Sequence, residues 1–156
     1  MTYWISRYVY NVNFTLKCCS QRSYLLKRFR DQGLSPKHLN AVFDAIVLSR
    51  ITYCICAWYS FLSRELNGRF DAFLKRMFNY GYCRQLYTLS GLCKQYDKTL
   101  SKILLNTQSC IHQLLPSEPI SHMQLRPRAH NFTLPVCTIV WYTNSFVNRF
   151  LFSNVY

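Results

Sequence analysis

Two glycines, Gly33 and Gly81, place the strongest constraint on how this chain can fold. Each closes a stretch in which apolar residues recur at helical spacing, and glycine is favoured there because helices often end in a left-handed residue. Good N-cap residues open these two stretches and a third between them: Ser20, Ser35 and Ser63. We therefore predict three helices in the first half of the chain, over residues 20–32, 35–60 and 63–80.

The three predicted helices each have an apolar face. The faces are Leu25, Leu26 and Phe29 in the first helix, Leu39, Val42, Phe43, Ile46, Tyr53 and Ala57 in the second, and Leu66, Phe70, Phe73, Leu74 and Met77 in the third. Arg50 falls inside the second face, where a buried guanidinium would need an acid or several carbonyl groups around it. It either ties helices together or reaches a phosphate. On the third helix, Glu65–Arg69 and Asp71–Lys75 are predicted to be local ion pairs.

The second half of the chain is predicted to be less regular. Residues 87–115 have a broken helical pattern, with Thr88 and Asp97 as caps of two short helices and a third from Ser109, stopped by Pro116. Beyond Pro116, further prolines exclude long helices, and alternating apolar residues at 132–136 predict a short strand. The predicted fold class is mainly α: a small helical bundle with an irregular, partly β C-terminal tail. The predicted domains are an N-terminal remnant (1–19), a helical region (20–115) and an irregular segment (116–156).

Charge narrows the choice of partner. Nineteen Lys and Arg face six Asp and Glu, which gives a formal net charge of +13. Such a surplus favours polyanions, with nucleic acid first and an anionic membrane second. Aromatic residues make up 17% of the chain and could stack on bases, although their helical spacing favours the core.

The eight cysteines are predicted to be reduced and mostly buried, because the N-terminal run has no signal-peptide pattern. This favours an intracellular location over secretion or a membrane. No Cys-x-x-Cys occurs, and the spacing of Cys110, His112, His122, His130 and Cys137 fits no zinc knuckle, so no metal is expected. The most apolar stretch, 51–62, is too short to span a bilayer.

Two runs carry a resemblance to a known family. CSQRSYLLKRFRDQGL (19–34) and AIVLSRITY (45–53) resemble, in order and spacing, the segment after the polymerase palm in LINE-type (non-LTR) retrotransposon reverse transcriptases. YTLS (87–90), CIH (110–112), LLP (114–116) and RPRAHNFTLP (126–135) resemble later parts of the same region. The similarity covers roughly residues 17–152. The family has a proline where this chain has Cys56, so the second helix is expected to continue further here.

The resemblance implies a thumb-like bundle that grips primer–template nucleic acid, preferably an RNA–DNA hybrid, by contacts to the phosphate backbone. The parent polymerase's palm and fingers would be further partners, and no cofactor or small-molecule substrate is expected. The candidate binding residues are Arg22, Lys27, Arg28, Arg30, Lys37 and Arg50. No catalysis is expected, because two-metal nucleotidyl transfer needs convergent carboxylates and no two acids lie within five positions of each other. A free-standing basic nucleic-acid-binding module and an interfacial membrane protein remain alternatives.

Overall fold

The computed structural model describes residues 2–117 and 132–153, and these residues are mainly helical, as predicted. The α-helices are α1 (Thr2–Asp31), α2 (Pro36–Phe43), α3 (Ser49–Thr52), α4 (Ile55–Trp58), α5 (Arg64–Asn79), α6 (Leu89–Leu105), α7 (Val140–Thr143) and α8 (Phe146–Ser153). A π-helical segment, Asp44–Leu48, joins α2 to α3, and 3-10 turns occupy Tyr59–Phe61 and His112–Leu114. No strand occurs in the described ranges, so the partly β tail is wrong there.

The first helix begins much earlier than predicted. It starts at Thr2, and Ser20 lies in its interior rather than at a cap. The carbonyl oxygen of Ser20 accepts a hydrogen bond from the Ser23 hydroxyl at 2.6 Å. The sequence contains neither glycine nor proline before Gly33, so nothing in the chain breaks the helix once it has formed.

Both predicted glycine stops are confirmed. Gly33 and Gly81 have positive φ angles of 84° and 74°. At the end of α1, the amide of Gly33 donates to Arg30 O and the amide of Leu34 donates to Phe29 O. These are the two hydrogen bonds of a Schellman motif. The end of α5 repeats this pattern through the amides of Gly81 and Tyr82.

The second predicted helix differs most from the expectation. Its buried apolar residues follow a spacing of four: Leu39, Phe43, Val47, Ile51 and Ile55. The π-helical segment accommodates this spacing because it adds one residue to a turn and rotates the buried face. Three residues predicted on that face, Arg50, Tyr53 and Ala57, are therefore exposed. The helix also does not run on to Ser60, because Cys54 adopts a left-handed conformation (φ 50°) and breaks it.

Helix α5 follows its prediction closely. The Ser63 hydroxyl accepts from Leu66 N as an N-cap, and all five residues of the predicted apolar face are buried. The two local ion pairs are wrong. Arg69 donates to the Asn13 side chain at 2.8 Å, and Asp71 Oδ1 accepts from Leu89 N at 2.7 Å, so Asp71 caps the start of α6.

Helix α6 is continuous where two short helices were predicted. Thr88 does cap it, since its hydroxyl accepts from Gly91 N at 3.2 Å. Asp97 is not a cap but forms an ion pair with Arg149 of α8 at 3.1 Å. The third predicted helix is only a 3-10 turn, and α7 and α8 occupy part of the supposed tail. The predicted motif at 126–131 lies outside the described residues.

The chain divides into two compact units, 1–93 and 94–156, with the division inside α6. The first unit, referred to below as the N-terminal unit, has a core of α1, α5 and the buried series of the second helix, with Phe43, Phe70 and Leu74 fully buried. The core of the second unit is formed by Leu104, Phe150 and Leu151 with partly buried apolar neighbours. The predicted domain boundaries at 19/20 and 115/116 stay predictions.

One helical segment in the described part, Pro36–Phe61, is long and apolar enough by length and composition to cross a membrane. The prediction from sequence considered the shorter stretch 51–62 and its extension toward Val42. The segment includes Asp44 and Arg50, which are costly at a bilayer centre, and the chain leaves helical geometry at Cys54.

Candidate nucleic-acid interface

The six predicted cations all lie in the N-terminal unit, which has thirteen Lys and Arg against four Asp and Glu. The structure does not bring them to one place. Two of them bind backbone carbonyls of the fold, two lie exposed on α1, and two line separate pockets. Their environments therefore differ enough to assign different roles.

Arg22 holds two helices together. Its side chain is half-buried on α1, and its guanidinium donates to the carbonyl oxygen of Ile46 in the π-helical segment. Next to it, the buried thiol of Cys19 lies 4.0 Å from the carbonyl oxygen of Val47. The two runs that carry the family resemblance therefore contact each other. Arg22 has the structural role that the sequence analysis considered for Arg50.

Side-chain donors gather around the carbonyl groups of the π-helical segment. Its carbonyls are displaced from the regular hydrogen-bond ladder of an α-helix. Side chains approach four consecutive carbonyl groups: Ser49 Oγ donates to Ala45 O, Arg22 to Ile46 O, Cys19 faces Val47 O, and Thr52 Oγ1 donates to Leu48 O. Two of these four donors come from α1, so α1 and the π-helical segment specify each other's position.

Arg30 is also committed to the fold. Its guanidinium donates to Tyr80 O at 3.2 Å and lies 5.2 Å from the centre of the Tyr82 ring. Tyr80 is the C-cap of α5, where the helix dipole is negative and the last carbonyls lack helical partners. The Arg30 side chain thus caps α5, which reduces its availability to a phosphate.

Lys27 and Arg28 are the cations that remain available on α1. Both are exposed, and neither forms a hydrogen bond or an ion pair with another residue that the structure describes. At 100° per residue, Arg28 shares its side of the helix with exposed Lys17 and Tyr24. We call Lys17, Tyr24, Lys27 and Arg28 the α1 basic face. Sequence reasoning missed Lys17, although its spacing of eleven residues from Arg28 would have revealed it.

Lys37 lines a pocket of about 410 Å³ together with Arg84, Asp44 and Tyr87. Burial raises the pKa of the Asp44 carboxyl, and the nearby positive charge of Arg84 partly opposes this effect. Arg84 was not singled out from sequence, because nothing in the local pattern separates it from the other cations. The two cations and one acid leave this pocket with a positive balance.

Arg50 lines a second pocket, of about 500 Å³, between α1, α3, α4 and α5. We call it the Arg50 pocket. The side chains important to its chemistry are Phe14, Thr15, Arg50, Tyr53, Trp58 and Phe70. Arg50 is exposed there and has no hydrogen bond or ion pair to the described part of the chain. The expectation of a buried Arg50 is therefore wrong, and its reach toward solvent leaves it available to an anion.

The cysteines show no arrangement suited to chemistry among the described residues. All eight are thiols rather than disulfides; four are buried, whereas Cys54 and Cys110 are exposed. Burial raises the pKa of both Cys19 and Cys83 to about 11, so these two thiols stay protonated at neutral pH. No group of three metal-binding side chains occurs in the ranges searched, and His122 and His130, whose spacing fits no zinc knuckle, lie outside those ranges.

Comparison with models of protein families, with curated proteins and with solved structures found no match to this chain.

Proposed function

We propose that this chain is the thumb and C-terminal segment of a LINE-type reverse transcriptase, and that it binds primer–template nucleic acid without catalysis of its own. The observation that carries the proposal is the α1 basic face, where Lys17, Lys27 and Arg28 are exposed and form no ion pair with a described residue. Exposed Asp31 lies one helical turn after Lys27, so the three cations and this acid leave a net charge of +2 on this side of α1. A helix side with an excess of exposed cations attracts a phosphate backbone and releases its counterions.

Two further observations support this function. The N-terminal unit concentrates positive charge, with +9 of the net +13 in residues 1–93. Cys19 and Arg22 of the first family-like run (19–34) contact carbonyl groups of the second run (45–53). These contacts hold α1 against the π-helical segment. A rigid helix with cations on its outer side is suited to contacts that position a duplex rather than read its sequence.

The proposal predicts binding that is indifferent to base sequence. The purified chain should bind RNA–DNA hybrids of unrelated sequence with equal affinity, and affinity should fall steeply as salt rises. It should extend no primer on an RNA template with Mg²⁺ or Mn²⁺, since no three metal-binding side chains come together among the described residues. Strong preference for one base sequence, or primer extension by chain freed of contaminating polymerase, would contradict the proposal.

One observation favours a second candidate, an interfacial membrane protein. The apolar segment Pro36–Phe61 has only 28% of its most apolar window buried, and Tyr53 within it is 74% exposed. Aromatic side chains beside cations bind the surface of anionic bilayers. Liposome flotation separates the two candidates: the nucleic-acid proposal predicts that hybrid duplex displaces the chain from anionic vesicles, whereas a membrane protein would stay bound.

A further inference from the structure

The Arg50 pocket combines one cation with aromatic walls. Its lining residues include no carboxylate, so the charge of Arg50 is not neutralised inside the pocket. A guanidinium in this situation attracts an anion, and its planar fork matches the oxygens of a phosphate. The pocket therefore has the electrostatic requirement of a phosphate site, in addition to the α1 basic face.

The aromatic side chains that line the pocket suit a flat, apolar group of a ligand. Trp58 and Phe70 lie 5.7 Å apart between ring centres, and Phe14 and Tyr53 contribute further ring surface to the same pocket. Exposed aromatic side chains such as Tyr53 stack on nucleobases with little regard to base identity, whereas Phe70 is fully buried and packs against Trp58. A volume of about 500 Å³ is also in the range of pockets that hold small ligands.

The helix break beside the pocket places one of these rings. Cys54 has a left-handed backbone, which is unfavourable for any residue other than glycine, asparagine or aspartate. The break is held by the indole of Trp58, which donates to the carbonyl oxygen of Tyr53 at 2.9 Å. As a result the Tyr53 side chain lines the pocket and is 74% exposed, whereas a regular helix would place it on the apolar face. Strained backbone of this kind concentrates at binding sites.

We propose that the Arg50 pocket binds one unpaired nucleotide of a bound nucleic acid, with its base against Tyr53 and Trp58 and its phosphate on Arg50. This inference rests on the proposed function, because the nucleotide would belong to the nucleic acid that the α1 basic face holds. It goes beyond that function by assigning a preference for a strand that carries an unpaired nucleotide over a fully paired duplex.

The test compares two ligands on the full chain: a blunt RNA–DNA hybrid, and the same hybrid with a one-nucleotide overhang. The overhang should bind about tenfold more tightly, as expected for one base that stacks while its phosphate is held by Arg50. Arg50→Ala should remove most of this preference, and Arg50→Lys should restore part of it. Lys98→Ala, which removes an exposed cation of the second unit, should leave the preference unchanged.

The chain also contains its own footprinting reporters. Cys54 lies in the pocket and is exposed, whereas Cys110 is exposed in the second unit. The overhang ligand should slow alkylation of Cys54 several-fold and leave Cys110 unaffected, with each site read by mass spectrometry. Equal affinity for both ligands with an unprotected Cys54 would overturn the nucleotide site while leaving backbone binding intact. Failure to bind either ligand would refute both the proposed function and the site.

Discussion

The contact of Arg22 with the π-helical segment makes a prediction about stability. Arg22→Ala removes a charged donor from the carbonyl oxygen of Ile46 and leaves that carbonyl without this partner. A hydrogen bond to a charged group contributes about 1.5–3 kcal/mol. Because Arg22 is only half-buried, solvent compensates part of the loss, and we expect the free energy of unfolding to fall by about 2 kcal/mol.

The measurement is urea unfolding followed by circular dichroism. In thermal unfolding, the same loss corresponds to a fall in Tm of about 4–8 °C for a chain of this length. Lys27→Ala is the matched control from the same helix, and its effect should stay within about 0.5 kcal/mol because Lys27 is exposed. If Arg22→Ala changed stability as little as the control and weakened hybrid binding instead, Arg22 would be a phosphate contact and the structural assignment would be wrong.

Three further predictions concern stability. Asp71→Ala should cost about 1–2 kcal/mol and speed hydrogen exchange at the Leu89 amide, because it removes one of the two caps of α6, the other being Thr88; unchanged exchange would contradict this role of Asp71. Gly33→Ala should cost about 1 kcal/mol in urea unfolding through backbone strain alone, since no atom lies within 4 Å of the added Cβ. Stability should fall as pH rises from 9.0 to about 11, because burial raises the pKa of the Cys19 and Cys83 thiols and both ionise first in the unfolded chain; Cys19→Ala should remove part of this fall, and an identical pH profile would refute it.

The sequence was most predictive where structure depends on neighbouring residues. Helix α5 was predicted with its cap, its apolar face and its Gly81 stop, because all three depend on residues within one helix. The Schellman end at Gly33 was predictable for the same reason. The early start of α1 differs from the prediction because Ser20 is a good N-cap by residue type, whereas no glycine or proline before it breaks the helix.

The candidate site was less predictable because it depends on contacts between helices. The π-helical segment rotates Arg50 out of the core, and it is supported by Cys19 and Arg22, which lie more than twenty residues earlier. Likewise, the role of Arg30 becomes visible only when α1 and the end of α5 are brought together. Periodicity at 3.6 residues cannot anticipate an inserted residue whose support comes from elsewhere in the chain.

The most direct test of backbone binding is the salt dependence of affinity for an RNA–DNA hybrid in two variants of equal charge. Lys27→Ala/Arg28→Ala removes two cations of the α1 basic face, and Lys98→Ala/Lys102→Ala removes two exposed lysines of α6. The first variant should bind more weakly, with its log–log salt slope reduced by about two, whereas the second should match the unmodified chain. Equal slopes for the two variants would contradict the account, because binding would then follow net charge and not this face of α1.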